Sequence, residues 1–138
     1  MTEAAAEPAL SVVIAARNEE AYIDRCLQGL VAQQDVPTGP VEVIVAANAC
    51  TDATVLRARA HAPAFAARGW RLEVLDLAQG GKLGAIAAGE AAARGRALAY
   101  LDADVLCDSP LLAQLVAALD TPTPCYACLL YTSDAADE

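Results

Sequence analysis

Residues 10–20 read Leu-Ser-Val-Val-Ile-Ala-Ala-Arg-Asn-Glu-Glu, and residues 97–105 read Ala-Leu-Ala-Tyr-Leu-Asp-Ala-Asp-Val. Each is a short apolar run that ends abruptly in charge. Ser11 to Ala16, with Val12, Val13 and Ile14, has the length and β-branched content of a buried strand. Asn18-Glu19-Glu20 then reads as a helix start, because asparagine caps and acids complement the positive helix end. Outward from here the alternation repeats. Ile23, Leu27, Leu30 and Val31 recur at helical spacing before Pro37, Gly39 and Pro40 break the chain. Val41 to Ala47 is a second strand, Thr51-Asp52 opens a helix running toward His61 and Pro63, and Leu72 to Leu77 is a third strand. After Gly80-Gly81, Lys82 to Arg94 reads as a helix, and Ala97 to Leu101 is a fourth strand entering Asp102-Ala103-Asp104. Ser109-Pro110 starts a last helix whose apolar face is Leu111, Leu112, Leu115, Val116 and Leu119.

Apolar strands alternating with helices predict an α/β fold: a mostly parallel sheet covered by helices on both faces. Right-handed crossovers gather the loops after the strands along one edge, where such sheets bind ligands. That edge collects Ala16 to Glu19, Ala47 to Asp52, Gly80 to Lys82, and Asp102 to Asp104.

The chain has 138 residues, a formal charge of −9 and 57% hydrophobic residues, many of them alanine. This length suits one domain or part of one. There is no run of 18 apolar residues, which excludes a transmembrane helix within the chain, and Met1 to Pro8 lacks the features of a secretory signal. The acidic balance excludes a nucleic-acid-coating protein but permits a small phosphorylated ligand. Cys26, Cys50 and Cys107 read as buried reduced thiols of a cytosolic protein. Cys125 and Cys128 form a single CxxC, too few ligands for structural zinc, and the single histidine, His61, has no cysteine neighbour.

Asp102 and Asp104 are the sharpest chemical signal. Alternation places both on one side of an extended segment, at the end of an apolar strand where burial would demand a cation or donors. Paired hard oxygens suit Mg²⁺ or Mn²⁺, which also hold phosphate oxygens. The plain alternative is a solvated turn. Lys82, the single lysine, follows two glycines and opens a helix, which makes an anion site of ammonium and backbone amides or simply a surface lysine beside a turn. Neither GxxxxGK[ST] nor GxGxxG occurs. Helix capping explains Asn18 and Glu19 and leaves Arg17 over. Asn48 and Asp52 flank Cys50, and a capping box or Asx-turn explains Asp52 equally well.

Together these stretches resemble the nucleotide-binding half of a family 2 glycosyltransferase with the Rossmann-like GT-A fold. The carriers are residues 11–20, Glu42 to Thr54, Gly81-Lys82 with Ala88-Gly89, and Ala99 to Val105, in order and at matching spacing over about Leu10 to Leu119. The resemblance implies transfer of a sugar from a UDP- or GDP-linked donor to an acceptor hydroxyl. It implies that Ala15, Arg17 and Glu19 wrap the base and that Lys82 lies near the ribose or diphosphate. Asp102 would approach ribose and metal, and Asp104 would bind the Mg²⁺ or Mn²⁺ that bridges the diphosphate. That ion offsets charge on the leaving group. Asn48 and Asp52 complete the expected nucleotide-binding set. Relatives act at the cytoplasmic face of membranes on lipid or polysaccharide acceptors.

Some positions depart from the family pattern. Ala15 stands where proline is common, Ala47 where an acidic base contact is common, and Ala87 where asparagine is common. Asn48 offers a substitute amide for the base. The family's general base lies well beyond the DxD strand, and no acid after Asp120 has a matching context. Cys128 to Glu138 resembles a translated sequencing adapter at the end of a truncated frame, so we expect residues 1–9 to be disordered, 10–127 to be a partial GT-A domain without transfer activity, and 128–138 to be non-native. Two other readings are a nucleotide-binding module without chemistry and a nucleotidyltransferase. The latter is disfavoured because Ala15 to Glu19 holds no glycine.

Overall fold

In the computed structural model, residues 8–33, 40–105, 112–114 and 117 are described. Four strands, β1 (Leu10–Ala16), β2 (Val41–Asn48), β3 (Arg71–Leu77) and β4 (Ala97–Asp102), form one parallel sheet in the order β3-β2-β1-β4. The helices are α1 (Ile23–Val31), α2 (Thr54–Arg59), α3 (Ala62–Ala67) and α4 (Lys82–Ala92). This is the α/β architecture expected from the alternation. The Ser109-Pro110 helix start, Cys107, Cys125, Cys128 and the 128–138 tail lie outside the described residues.

The two central strands are nearly wholly buried, as their apolar runs require. Val12, Ile14, Val43 and Val45 face a core completed by Ile23, Leu27 and Leu30 of α1, Ala58 of α2 and Phe65 of α3. α4 covers the opposite face, where Gly89 meets Val13. The expectation of apolar strands throughout needs correction at the edges. β3 is only partly buried, and β4 alternates, with Leu98, Tyr100 and Asp102 exposed between buried Ala99 and Leu101. An edge strand with one uncovered face reads as alternation.

Local differences have local causes. Asn18 is not a helix cap: it takes φ 53°, a left-handed conformation asparagine tolerates, five residues before α1 starts at Ile23. A turn at Glu19 leads into the helix instead, the Glu19 carbonyl accepting from the amides of Tyr22 and Ile23 at 2.9 Å each. The helix expected from Thr51-Asp52 begins at Thr54 and divides in two, with Pro63 in the first turn of α3. Pro8 and Ala9, expected outside the domain, are packed into it: Arg96 N donates to Pro8 O (3.1 Å) and Ala9 N to Pro40 O (3.0 Å). Cys26 is buried and Cys50 half-buried, neither in a disulfide.

A Cβ at Gly89 would lie 2.4 Å from Cγ1 of Val13, inside contact distance. Alanine gains about 1 kcal/mol over glycine in a helix interior, whereas overpacking a core costs about 1–3 kcal/mol. We therefore expect Gly89→Ala to lower the urea midpoint and Val13→Ala to recover part of that loss in the double variant. A Gly89→Ala chain more stable than the parent would show that α4 is not seated so closely.

Candidate functional site

The strand order reverses between β1 and β4, and at such a point an open parallel sheet leaves a crevice beyond its carboxyl ends. A cleft of about 320 Å³ lies there, lined by Ala15, Arg17, Glu19, Asn48, Gly81, Lys82, Asp102 and Asp104. Each lining residue is carried by a strand end or the loop after it. Ala15 pairs with Asp102 across the β1–β4 ladder, so the two strands deliver them side by side. Asn48 ends β2, and Gly81-Lys82 opens α4.

Asp102 and Asp104 are exposed to the cleft, while Ala103 between them is buried. This corrects the expectation of carboxylates stranded in an apolar setting. β4 ends at Asp102 and the chain turns, Val105 N donating to Asp102 O at 3.1 Å, so both acids reach solvent through one opening. Lys82 Nζ donates to Asp102 Oδ1 at 2.9 Å. That hydrogen bond and the carboxylate's charge, with Asp104 beyond, raise the Lys82 pKa. Arg17 packs over the glycine loop, where a Cβ at Gly80 would come within 3.0 Å of its Nη1. Burial, together with Asp104, Asp102 and Asp52, pushes the Glu19 carboxyl above its usual range.

Asn48 is almost fully buried. Its Nδ2 donates to Ala16 O (3.0 Å) and its Oδ1 accepts from Gly81 N (3.2 Å). One donor and one acceptor site of its amide are thus given to the protein. The amide of Gly81, the residue before α4, is likewise committed inward rather than to an anion. Ala47 is wholly buried. Asp52 does not line the cleft. Its Oδ1 accepts from Thr54 N (3.0 Å) and from the Thr54 hydroxyl, and its Oδ2 accepts from Glu20 N (3.3 Å). Desolvation alone would raise its pKa, but these donors outweigh it and hold the carboxyl below the usual range. The Asx-turn reading describes its local geometry. The sequence reading set Gly81 on this edge without counting it among the binding residues, and it missed Thr54. For Gly81 the signal was its place at a helix start, and for Thr54 there was none beyond its nearness to Asp52.

The donor set is two hard carboxylates opening on one space, which fits a Mg²⁺ or Mn²⁺ that keeps waters and takes phosphate oxygens. Among the described residues no group of three or more His, Cys, Asp or Glu is arranged around one cation position. Such an ion would therefore need ligands from a bound phosphate and water.

A parallel sheet with an acidic and basic cleft at its switch point defines an open α/β domain in class. Sequence comparison gives the family: glycosyl transferase family 2 matches residues 11–137, and the chain belongs to it. The dolichyl-phosphate beta-glucosyltransferase of Drosophila melanogaster is 36% identical over 121 residues, covering 83% of this chain and 36% of that protein. The crystal structure of S. aureus TarS 1-349 superposes with a TM-score of 0.68 at 26% identity, over 80% of this chain and 32% of that one. The same protein in complex with UDP gives 0.68 at 25% identity, again over 80% and 32%. The chain spans about a third of the length of these relatives. Among the described residues no helix is long and apolar enough to cross a membrane.

Because Asp104 is one cause of the raised Glu19 pKa, Asp104→Asn should let the Glu19 carboxyl release its proton at lower pH. A carboxyl-carbon NMR titration of both chains measures this. An unchanged Glu19 midpoint would place the two groups further apart than the cleft has them.

Proposed function

We propose that this chain forms the donor-binding part of a glycosyltransferase that moves a sugar from a nucleotide diphosphate to an acceptor hydroxyl with the help of a divalent cation. The observation that carries the reading is the convergence of Ala15, Arg17, Glu19, Asn48, Lys82, Asp102 and Asp104 on one cleft at the switch point of a family 2 domain. Asp52 is left out of the contact set.

Charge supports a metal-dependent ligand. Glu19, Asp102 and Asp104 oppose Arg17 and Lys82, so a diphosphate entering alone would meet more carboxylate than cation. Enzymes of this family commonly use divalent metals. In our reading Asp104 and the free oxygen of Asp102 hold the ion. Lys82 shifts from Asp102 toward the diphosphate, and Arg17 adds a second cation from the β1 side. The ion, when bound, supplies charge stabilisation for the departing diphosphate. Arg17 and Lys82 would strengthen that effect as preorganised donors.

The TarS complex with UDP supports a uridine diphosphate as the donor nucleotide. The relative named for dolichyl phosphate supports a lipid-carried acceptor.

Isothermal titration of the 138-residue chain with UDP, with and without Mn²⁺, tests this. We expect binding that requires the ion and is lost in Asp104→Ala. Binding that is indifferent to the ion and to Asp104 would overturn the assignment of the acidic pair. Tighter binding of GDP than UDP would overturn the choice of base alone.

A further inference from the structure

The loop between β1 and α1 carries Arg17 and Glu19 into the cleft, and its backbone from Asn18 to Glu20 is held from across the fold. Three successive amides donate to the segment from the loop after β2 to the first residue of α2: Asn18 N to Cys50 Sγ (3.4 Å), Glu19 N to Thr54 Oγ1 (2.8 Å) and Glu20 N to Asp52 Oδ2 (3.3 Å). Bonds also run the other way. Thr51 N donates to Asn18 Oδ1 and Ala53 N to Glu20 Oε1, both at 2.8 Å. The two loops are clasped, residue against residue, over Asn18 to Glu20 and Cys50 to Thr54.

Thr54 is the centre of the clasp. It is wholly buried, its hydroxyl accepts from Glu19 N, and its one hydroxyl hydrogen goes to Asp52 Oδ1. Asp52 Oδ1 also accepts from Thr54 N, so the pair is held rigidly before Asp52 Oδ2 reaches Glu20. Asn18 turns the chain in a left-handed conformation (φ 53°), and between β1 and α1 no regular element holds the residues that follow it. Thr54 and Asp52 do not line the cleft.

We propose that Thr54 and Asp52 are positioning residues for the nucleotide site: they fix where Arg17 and Glu19 stand, and ligand affinity depends on them without contact. This rests on the reading of the cleft as a nucleotide site. Misplacing a binding group by a fraction of an ångström weakens a site built for one geometry. Valine at position 54 keeps the threonine shape but gives Glu19 N no acceptor and Asp52 no donor. Serine keeps both.

The test uses the 138-residue chain with Thr54→Val, Thr54→Ser and Phe65→Leu, the last a core change on α3 outside the clasp. Two quantities are read on chains shown by urea titration to be folded: the Kd for UDP with Mn²⁺, and the Glu19 carboxyl titration. We expect Thr54→Val to weaken UDP by about tenfold or more and to shift the Glu19 titration. Thr54→Ser should restore both to within about twofold of the parent, and Phe65→Leu should move neither, because it lowers stability alone. Thr54→Val that matches Phe65→Leu in both readouts would overturn the proposal, since the role of Thr54 would then be merely structural. If the parent chain binds no nucleotide, the nucleotide reading fails and the proposed effect on affinity falls with it. The Glu19 titration in Thr54→Val then decides whether the clasp still positions the loop.

Discussion

A single buried carboxylate ties the sheet together at the edge opposite the cleft. Glu42 lies near the start of the central strand β2 with no exposed surface, and a charge in that place must be fully met by donors. Its Oε2 accepts from Ser11 Oγ and from Arg94 N, both at 2.8 Å, and its Oε1 accepts from Arg71 Nη1 (3.1 Å) and Arg94 Nε (3.3 Å). Desolvation alone would raise its pKa, yet these bonds hold it below the usual range. The donors come from β1, from the first residue of β3 and from the link between α4 and β4. Ser11 Oγ in turn accepts from Gly95 N (2.8 Å), where any Cβ would strike Ser11 Oγ at 2.5 Å. The knot therefore fixes how β4 enters beside β1. With Ala97 opposite Leu10, the ladder runs in register until Asp102 arrives opposite Ala15. The position of the acidic pair at one edge is set by a charge at the other.

The two acidic groups of the sheet obey opposite rules. Glu42 is buried and saturated with donors, so removing a partner would strand a charge. Asp102 is exposed, with 60% of its side chain open, and its bond to Lys82 joins a lysine 64% open. Exposed pairs of this kind contribute about 0–1 kcal/mol. The Lys82–Asp102 bond therefore orients two groups without committing them, and each is available to a ligand of opposite charge. Between these extremes stands Glu19, partly desolvated and facing other carboxylates, which a cation in the cleft would relieve.

What the sequence disclosed follows from where physical signals are local. Apolar runs of the right length identified β1 and β2 because both are buried on two faces. The residues after each strand named the cleft, since in a parallel sheet chain order and strand direction already say which loops meet. Asn18 was misjudged because its type favours both helix caps and left-handed turns, and only Thr51, across the fold, distinguishes them. Asp52 was only half legible for the same reason: its bond to Thr54 is local, but its bond to Glu20 N is not. Glu42 stood in plain view inside an apolar run. Its partners Ser11, Arg71 and Arg94 are 29 to 52 residues away along the chain, and no spacing rule links them.

Asn48 shows how closely the site and the fold are joined. β1 ends at Ala16, whose carbonyl has no next strand residue to bond, and Asn48 Nδ2 takes it at 3.0 Å. The same side chain accepts from Gly81 N, so one amide ties the end of β1, the end of β2 and the start of α4. Lys82 is the next residue, and its reach to Asp102 follows from that tie. A carboxylate in place of Asn48 would accept from Gly81 but would turn an acceptor toward the Ala16 carbonyl, two like partial charges in a buried place. Aspartate has the same reach and the wrong chemistry there. An amide, with its donor and acceptor on one short side chain, satisfies both backbone groups at once. The amide that offered itself as a substitute base contact is thus first a structural tie, and one N–H of its NH₂ remains beyond the bond to Ala16.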